Sequence, residues 1–303
     1  MRYEHVLQAV FGSPWAIKPE MYALICEIVR DRAMGDRLTA EEITQRIGAA
    51  RVRSGAARNG SIAVLPLHGV LAPRMNMAHA ISGGTSLEVF GAMFRQAMAD
   101  PQIAAVVLDV DSPGGSVFGV PELWDDVFQA RGVKPVVAVS NPMAASAAYW
   151  LATAAEEIVA SPSAELGSVG VIAAHEDISA AEAQKGVTTT LVTAGRRKAL
   201  GNQYEPLTDE ARADIQGKVD AYYTMFVDAV SRGRGVRSAE VRSGYGEGGT
   251  VLAQEALRLG MVDTIATLQQ TIDRLSGVGA ARRRGAVAME AELSARRRRL
   301  LLS

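Results

Sequence analysis

The chain has 303 residues, 48% hydrophobic and 21% charged, as expected of a globular protein with a core large enough for one or two domains. The formal net charge of −1 gives no reason to expect specific nucleic-acid binding, and the single cysteine, Cys26, excludes an internal disulfide framework. The N-terminus lacks the basic start and clean apolar stretch of a signal peptide. The longest uncharged stretch, 135–155, contains a Ser-Asn-Pro turn that divides it into pieces too short to span a bilayer, so we expect no membrane span.

Residues 1–57 are predicted to form a small helical N-terminal appendage or a propeptide. "PEMYALICEIVRDRAM" has helical spacing, and "TAEEITQRIGAARVR" starts with a Thr cap and early glutamates. "SGAARNGS" then has the composition of a linker.

Residues 58–276 are predicted to form the main domain, in which strands alternate with helices. "IAVLPLHGVL" is a predicted strand, "ISGGTSLEVFGAMFRQAMADP" a loop and an amphipathic helix, and "IAAVVLDV" a strand covered on both faces. The turn "DSPGGS", the helix "PELWDDVFQARG", the strand "PVVAVS" and a helix in "NPMAASAAYWLATAA" follow. This order predicts an α/β fold with a mostly parallel sheet and flanking helices.

The second half of this domain continues the alternation. "EEIVAS", "GSVGVIAA" and "VTTTLVTAG" are predicted strands, and "LTDEARADIQGKVDAYYTMFVDAVSRGRG" is a predicted long helix with an acidic start. "TVLAQEALRLGMVD" and "TLQQTIDRL" are predicted to form short helices. The last segment, 277–303, holds seven arginines and two glutamates and is predicted to be a flexible basic tail, either an interaction segment or a solvated end.

The candidate catalytic residues lie in two turns, each of which follows one of two neighbouring predicted strands. In "DVDSPGGS", Gly114 and Gly115 leave backbone N–H groups open to a substrate carbonyl, as an oxyanion hole requires, although a plain strand-to-helix turn has the same pattern. In "NPMAASAAYW", Ser146 begins a helix among alanines that leave room for a substrate, although an N-cap serine is also common there. Neighbouring parallel strands would bring both turns to one edge of the sheet, which favours a functional site.

A serine nucleophile needs a base, and two residues downstream of Ser146 qualify. His175 is the one histidine in that part of the sequence. Lys198 follows an apolar stretch in a chain with far more arginine than lysine, and burial or the neighbouring Arg196 and Arg197 would lower its pKa towards neutrality. An exposed basic turn is the simpler interpretation of the same residues.

The motifs "LDVDSPGGSV", "MAASAAYWLATAA", "ASPSAELGSVGVI" and "AGRRKALGNQYEPLTDEARA" together resemble the signal peptide peptidase A family of Ser-Lys proteases, in the same order from Ile62 to Asp263. The resemblance implies a crotonase- or ClpP-like fold and ring-like homo-oligomers. It also implies that Ser146 is the nucleophile and Lys198 the general base.

The resemblance further implies an oxyanion hole at Gly115, with Gly114 and the Ala147 N–H beside it, and a supporting hydroxyl at Ser168. One departure is that Ala147 and Ala148 follow the serine where two glycines are common in the family; alanine keeps the backbone donor but narrows the pocket. A helical N-terminus without a membrane anchor, together with the arginine-rich tail, is most similar to phage head-maturation proteases of this family.

The sequence therefore predicts a serine endopeptidase that acts on proteins or peptides, without a metal or cofactor, in the host cytoplasm or the assembling phage procapsid. Scaffold or capsid proteins are the expected partners of the basic tail. Alternatives are a bacterial peptidase that degrades signal or other peptides, a Ser-His-Asp protease with His175 as base, a non-hydrolytic crotonase-like enzyme, and a structural capsid-interacting protein.

Overall fold

The computed structural model describes residues 10–11, 13–34, 56–74 and 84–277. The helix predicted in "TAEEITQRIGAARVR" and the basic tail lie outside these residues, so both stay predictions. Among the described helices, none is both long and apolar enough to cross a membrane.

The described elements follow the predicted alternation closely. The helices are α1 (Pro19–Met34), α2 (Leu87–Ala99), α3 (Val120–Gln129), α4 (Ala147–Ala152), α5 (Ser179–Gln184), α6 (Asp209–Arg234), α7 (Ser238–Gly244), α8 (Ala253–Arg258) and α9 (268–277). The strands are β1 (Trp15–Ile17), β2 (Ala57–Asn59), β3 (Ile62–His68), β4 (Leu71–Ala72), β5 (Thr85–Ser86), β6 (Ala105–Ser112), β7 (Gly114–Ser116), β8 (Val136–Ala145), β9 (Glu157–Ala160), β10 (Glu165–Gly167), β11 (Thr250–Leu252) and β12 (Thr264–Ile265).

The larger sheet has the order β11-β10-β8-β6-β3-β2, and β9 pairs with β8 and with β12. Its central strands β3, β6, β8 and β10 are parallel, whereas the edge strands β2 and β11 are antiparallel to their neighbours. The continuous apolar runs of the central strands suit a sheet covered on both faces. The predicted α/β fold with a mostly parallel sheet and flanking helices is confirmed.

Helices cover both faces of this sheet. On one face, α2, α3, α4 and α6 pack against β3, β6 and β8 in the largest hydrophobic cluster. On the other, Ile272 and Leu275 of α9 cover Val107, Val137 and Val159. All six residues of α4, the helix that follows Ser146, are buried.

A second, smaller sheet has the order β1-β7-β4-β5 and corrects two sequence predictions. The "DSPGGS" motif, predicted as a turn, contains strand β7, which pairs parallel with β4 and antiparallel with β1. The N-terminal segment, predicted as helical, contributes β1 before helix α1. Both strands have three residues, and their pairing partners are distant in sequence, so local patterns do not reveal them.

Two predicted strands in the second half were wrong. Only the first residue of "GSVGVIAA" belongs to β10, and Ile172 makes an isolated bridge to Trp15. "VTTTLVTAG" is not a strand, and Val192 is 95% exposed. Alternation of apolar and polar residues produces a strand only where a neighbouring strand is available, and residues 187–195 have none within the described chain.

Candidate active site

Ser146 lies at a sharp junction between a strand and a helix. Strand β8 ends at Ala145, Ser146 adopts φ 54° and ψ −120°, and α4 begins at Ala147. A positive φ is uncommon for a residue with a side chain and costs on the order of 1–3 kcal/mol, which the surrounding structure must offset. Strained strand-to-helix turns of this kind present nucleophilic serines in hydrolases. The sequence predicted a turn here but not its strained conformation, because no Gly-x-Ser-x-Gly pattern surrounds Ser146.

Backbone contacts hold Ser146 in this conformation. Its N–H donates to the Gly167 carbonyl oxygen at 2.7 Å, and its own carbonyl oxygen accepts from the Trp150 N–H at 2.8 Å. The hydroxyl oxygen Oγ donates to the Gly170 carbonyl oxygen at 3.4 Å. Ser146 is fully buried, so the segments around it leave no open path to solvent.

Gly114 is the nearest part of the glycine-rich strand to Ser146. It has φ 98°, and a Cβ at this position would lie 3.0 Å from Cβ of Ser146 and would overlap the Ala16 carbonyl oxygen. Its N–H donates to Oγ of Ser112 at 3.1 Å. Only glycine fits here, because both the backbone conformation and the close neighbours exclude a side chain.

Gly115 directs its N–H towards β1. Lys18 N–H donates to the Pro113 carbonyl oxygen at 2.9 Å, and Ala16 lies opposite Gly115 in the same antiparallel ladder. Hydrogen-bonded pairs recur at every second residue of such a ladder, so Ala16 and Gly115 form the next bonded pair. The Gly115 N–H is therefore able to donate to a carbonyl oxygen, which is the capacity that an oxyanion hole needs.

Ala147 and Ser168 complete the surroundings of the serine. Ala147 is the first residue of α4, so its N–H has no acceptor within the helix. Ser168 directly follows Gly167, which accepts the Ser146 N–H, and also has a positive φ of 54°. Its N–H donates to the Gly249 carbonyl oxygen at 2.7 Å, which fixes it beside the serine turn.

Lys198 is not joined to Ser146. It lies exposed in a turn, and within the described residues its ammonium makes no hydrogen bond or ion pair. The adjacent arginines are ion-paired to α6, Arg196 with Glu210 at 2.7 Å and Arg197 with Asp214. The structure thus brings the serine and the glycine-rich strand together and leaves the predicted base at the surface.

The alternative base, His175, is also engaged elsewhere. Its Nε2 lies 2.9 Å from the Asn202 carbonyl oxygen. A separate polar cluster, which the sequence did not reveal, joins Nε2 of His68 to Oδ2 of Asp109 at 3.2 Å, and Nδ2 of Asn141 donates to Oδ1 of Asp109 at 3.1 Å. These side chains join β3, β6 and β8 across the larger sheet. The acidic alternation in "LDVDS" was the only sequence signal for them.

Comparison with known proteins identifies the family. Residues 129–280 match the model of peptidase family S49, and the chain belongs to this family. The chain is 33% identical over 285 residues to "Capsid assembly protease C" of Escherichia phage lambda, covering 88% of this chain and 64% of that protein. It is 32% identical over 283 residues to "Head-tail preconnector protein GP5" of Enterobacteria phage P21, covering 88% of this chain and 56% of that protein. The chain thus spans less than two thirds of the length of either phage protein.

A bacterial relative confirms the resemblance seen in the sequence motifs. A "Putative signal peptide peptidase SppA" of Enterococcus faecium is 24% identical over 220 residues, covering 72% of this chain and 64% of that protein. Among solved structures, a probable enoyl-CoA hydratase/isomerase from Mycobacterium abscessus is similar with a TM-score of 0.43 and 15% identity, covering 75% of this chain and 73% of that one.

Proposed function

We propose that the protein is a serine endopeptidase in which Ser146 is the nucleophile and Lys198 the general base. The observation that carries the proposal is the conformation of Ser146, strained between β8 and α4 and packed against Gly114. Membership of peptidase family S49 supports the same chemistry.

In the proposed reaction, Oγ of Ser146 attacks the carbonyl carbon of a peptide bond while its proton passes to the neutral amine of Lys198. The N–H groups of Gly115 and Ala147 stabilise the oxyanion. The bond to the leaving amine breaks as Lys198 returns the proton to that nitrogen, which leaves an acyl-enzyme. Water, deprotonated by Lys198, then attacks the ester, and Ser146 recovers its proton.

Within one chain Lys198 does not contact Ser146, so the lysine must reach the serine in another way. We propose that it does so between copies of the protein, in a ring-like homo-oligomer. The segment that carries Lys198 is exposed and displays apolar side chains, including Val187, Leu191 and Val192, that a neighbouring subunit would cover. Contact with a second copy would also exclude water from the lysine, as a general base in a peptidase site requires.

The natural substrates are proposed to be scaffold or capsid-associated proteins during phage head maturation. The relatives named capsid assembly protease and head-tail preconnector protein, each matched over 88% of this chain, support this assignment. It places the reaction in the host cytoplasm or the assembling procapsid, and the seven arginines of the tail would attach the enzyme to an acidic protein partner. The relative named as a signal peptide peptidase supports a second candidate, a bacterial enzyme that degrades signal or other peptides.

The dyad is tested with Ser146→Ala and Lys198→Ala, each assayed by cleavage of a casein or scaffold substrate and by mass spectrometry of the purified chain. Both variants are expected to lose at least about a thousandfold in kcat with unchanged thermal melting. Lys185→Ala, at another exposed lysine of the same segment, is the matched control and is expected to retain full activity. Near-normal proteolysis by Lys198→Ala, or failure of a fluorophosphonate probe to label Ser146 in an active preparation, would contradict the assignment.

A further inference from the structure

Strand β1 is inserted between the two segments that flank Ser146. On one edge, Ala16 pairs with Gly115 of the glycine-rich strand. On the other edge, Trp15 N–H donates to the Ile172 carbonyl oxygen, and Ile172 N–H donates to the Trp15 carbonyl oxygen, both at 2.8 Å. An extended segment with backbone hydrogen bonds along both edges is how a peptide binds by strand addition.

The backbone of this strand occupies the position that a substrate carbonyl needs. The Ala16 carbonyl oxygen faces the Gly115 N–H, and it lies so near Gly114 that a Cβ there would overlap it. Ala16 and Ser146 are both fully buried. No other peptide is able to reach Ser146 from this side while β1 stays in place.

The side chains of Trp15 and Lys18 hold β1 in place through contacts outside the space between Gly115 and Ile172. Trp15 packs against Tyr22 with ring centroids 6.1 Å apart, and its Nε1 donates to the Val10 carbonyl oxygen at 3.1 Å. Nζ of Lys18 lies 3.0 Å from Oε2 of Glu165 and forms an ion pair with it. Trp15 contributes to the core beneath α1, whereas Ala16 belongs to the main core. The only side chain that β1 places in the main core is thus the methyl group of Ala16.

We propose that Trp15–Ile17 is a built-in occupant of the peptide-substrate groove, and that the substrates which displace it carry a small apolar residue where Ala16 lies. This inference rests on the proposed peptidase function. A groove that is open in only a fraction of molecules shows an apparent substrate affinity reduced by that fraction, so the occupant raises KM and leaves kcat unchanged.

The kinetic test compares Trp15→Ala with Glu20→Ala, a control at an exposed residue of α1, on a peptide substrate with alanine before the cleaved bond. Trp15→Ala is expected to lower KM about tenfold at constant kcat, whereas Glu20→Ala leaves both unchanged.

Lys18→Ala, which breaks only the ion pair with Glu165, is expected to lower KM about threefold. This variant replaces Trp15→Ala in the test if Trp15→Ala fails to fold. An unchanged KM in a folded variant would overturn the proposal.

A binding test separates this inference from the peptidase proposal because it needs no turnover. A fluorescein-labelled peptide with the sequence of residues 13–20, "SPWAIKPE", is titrated into full-length Ser146→Ala with and without Trp15→Ala. We expect about tenfold tighter binding to the double variant, and weaker binding when phenylalanine replaces the residue equivalent to Ala16. Equal affinity for both proteins, or no preference for the small residue, would refute the inference even if the enzyme is an active peptidase. If the peptide binds as expected but the wild-type chain cleaves no substrate, only the peptidase proposal is refuted.

Discussion

Gly114 and Ser146 approach each other so closely that no side chain fits between them: a Cβ on Gly114 would lie 3.0 Å from Cβ of Ser146. The two residues come from different sheets, Gly114 from β7 and Ser146 from the end of β8. Both have a positive φ. Their contact fixes the distance between the nucleophile and the strand that supplies the proposed oxyanion donor.

Substituting Gly114→Ala is therefore expected to abolish activity, with a fall in kcat/KM of at least about a hundredfold, because the added methyl group must displace either Ser146 or strand β1. Gly132→Ala is the matched control, since Gly132 also has a positive φ, 81°, but nothing lies within 4 Å of the added Cβ. That control is expected to lose about 1 kcal/mol of stability and no activity. Peptide-cleavage kinetics on both variants, with urea unfolding alongside, checks the prediction; normal kinetics for Gly114→Ala would contradict the site geometry.

Because Lys198 is exposed and does not contact Ser146 within one chain, we expect oligomers that mix two inactive variants to regain activity. If each site takes its serine from one copy and its lysine from a neighbour, then Ser146→Ala and Lys198→Ala chains co-expressed in equal amounts regain about a quarter of wild-type activity. Co-expression of Ser146→Ala with the double variant Ser146→Ala/Lys198→Ala is the control and stays inactive. An inactive first mixture that still forms oligomers would show that the lysine comes from the same chain as the serine.

The sequence predicted the parts of this fold that follow from local patterns. The buried strands β3, β6 and β8 appeared as apolar runs, and α6 formed as the predicted long helix with an acidic start at Asp209 and Glu210. The positive φ of Ser146 was not predictable, because it depends on contacts with Gly167 and Gly114 from other strands. Strand β1 was missed for a similar reason: "WAI" is too short to show alternation, and its partner lies about a hundred residues away.

The helix that begins beside Ser146 depends on packing against α6. The rings of Trp150 and Phe226 are stacked with centroids 4.7 Å apart and planes 7° from parallel, and both side chains are fully buried. Phe226→Ala is expected to cost about 3–5 kcal/mol of unfolding free energy through the cavity that it leaves, and to lower kcat as α4 shifts. Met225→Ala, half exposed on the same helix, is the control and should change stability by less than about 1 kcal/mol. Urea denaturation measures both, and equal losses would argue against the α4–α6 contact.

The C-terminal end of α6 is held to Asp263, just before β12, by an ion pair whose strength depends on pH. Nη1 and Nη2 of Arg234 donate to the two carboxylate oxygens of Asp263 at 2.9 and 2.7 Å, and the Ile158 N–H donates to Oδ2 at 2.7 Å. Burial acts to raise the pKa of Asp263, but the hydrogen bonds and the positive charge of Arg234 outweigh it, so the pKa lies below its usual value.

A carboxylate with a lowered folded-state pKa stabilises the fold above its unfolded pKa, about 3.9, and this contribution is lost as pH falls through the folded-state value. Asp263→Asn is therefore expected to lose about 1–2 kcal/mol at pH 7, a modest value because the carboxylate is partly exposed, and the difference from wild type should shrink below about pH 4. Asp273→Asn, at an exposed position of α9, controls for the loss of one negative charge. Urea unfolding between pH 3 and 7 measures the effect. A difference from wild type that stays constant over this range would show that the ionised form of Asp263 does not stabilise the folded chain.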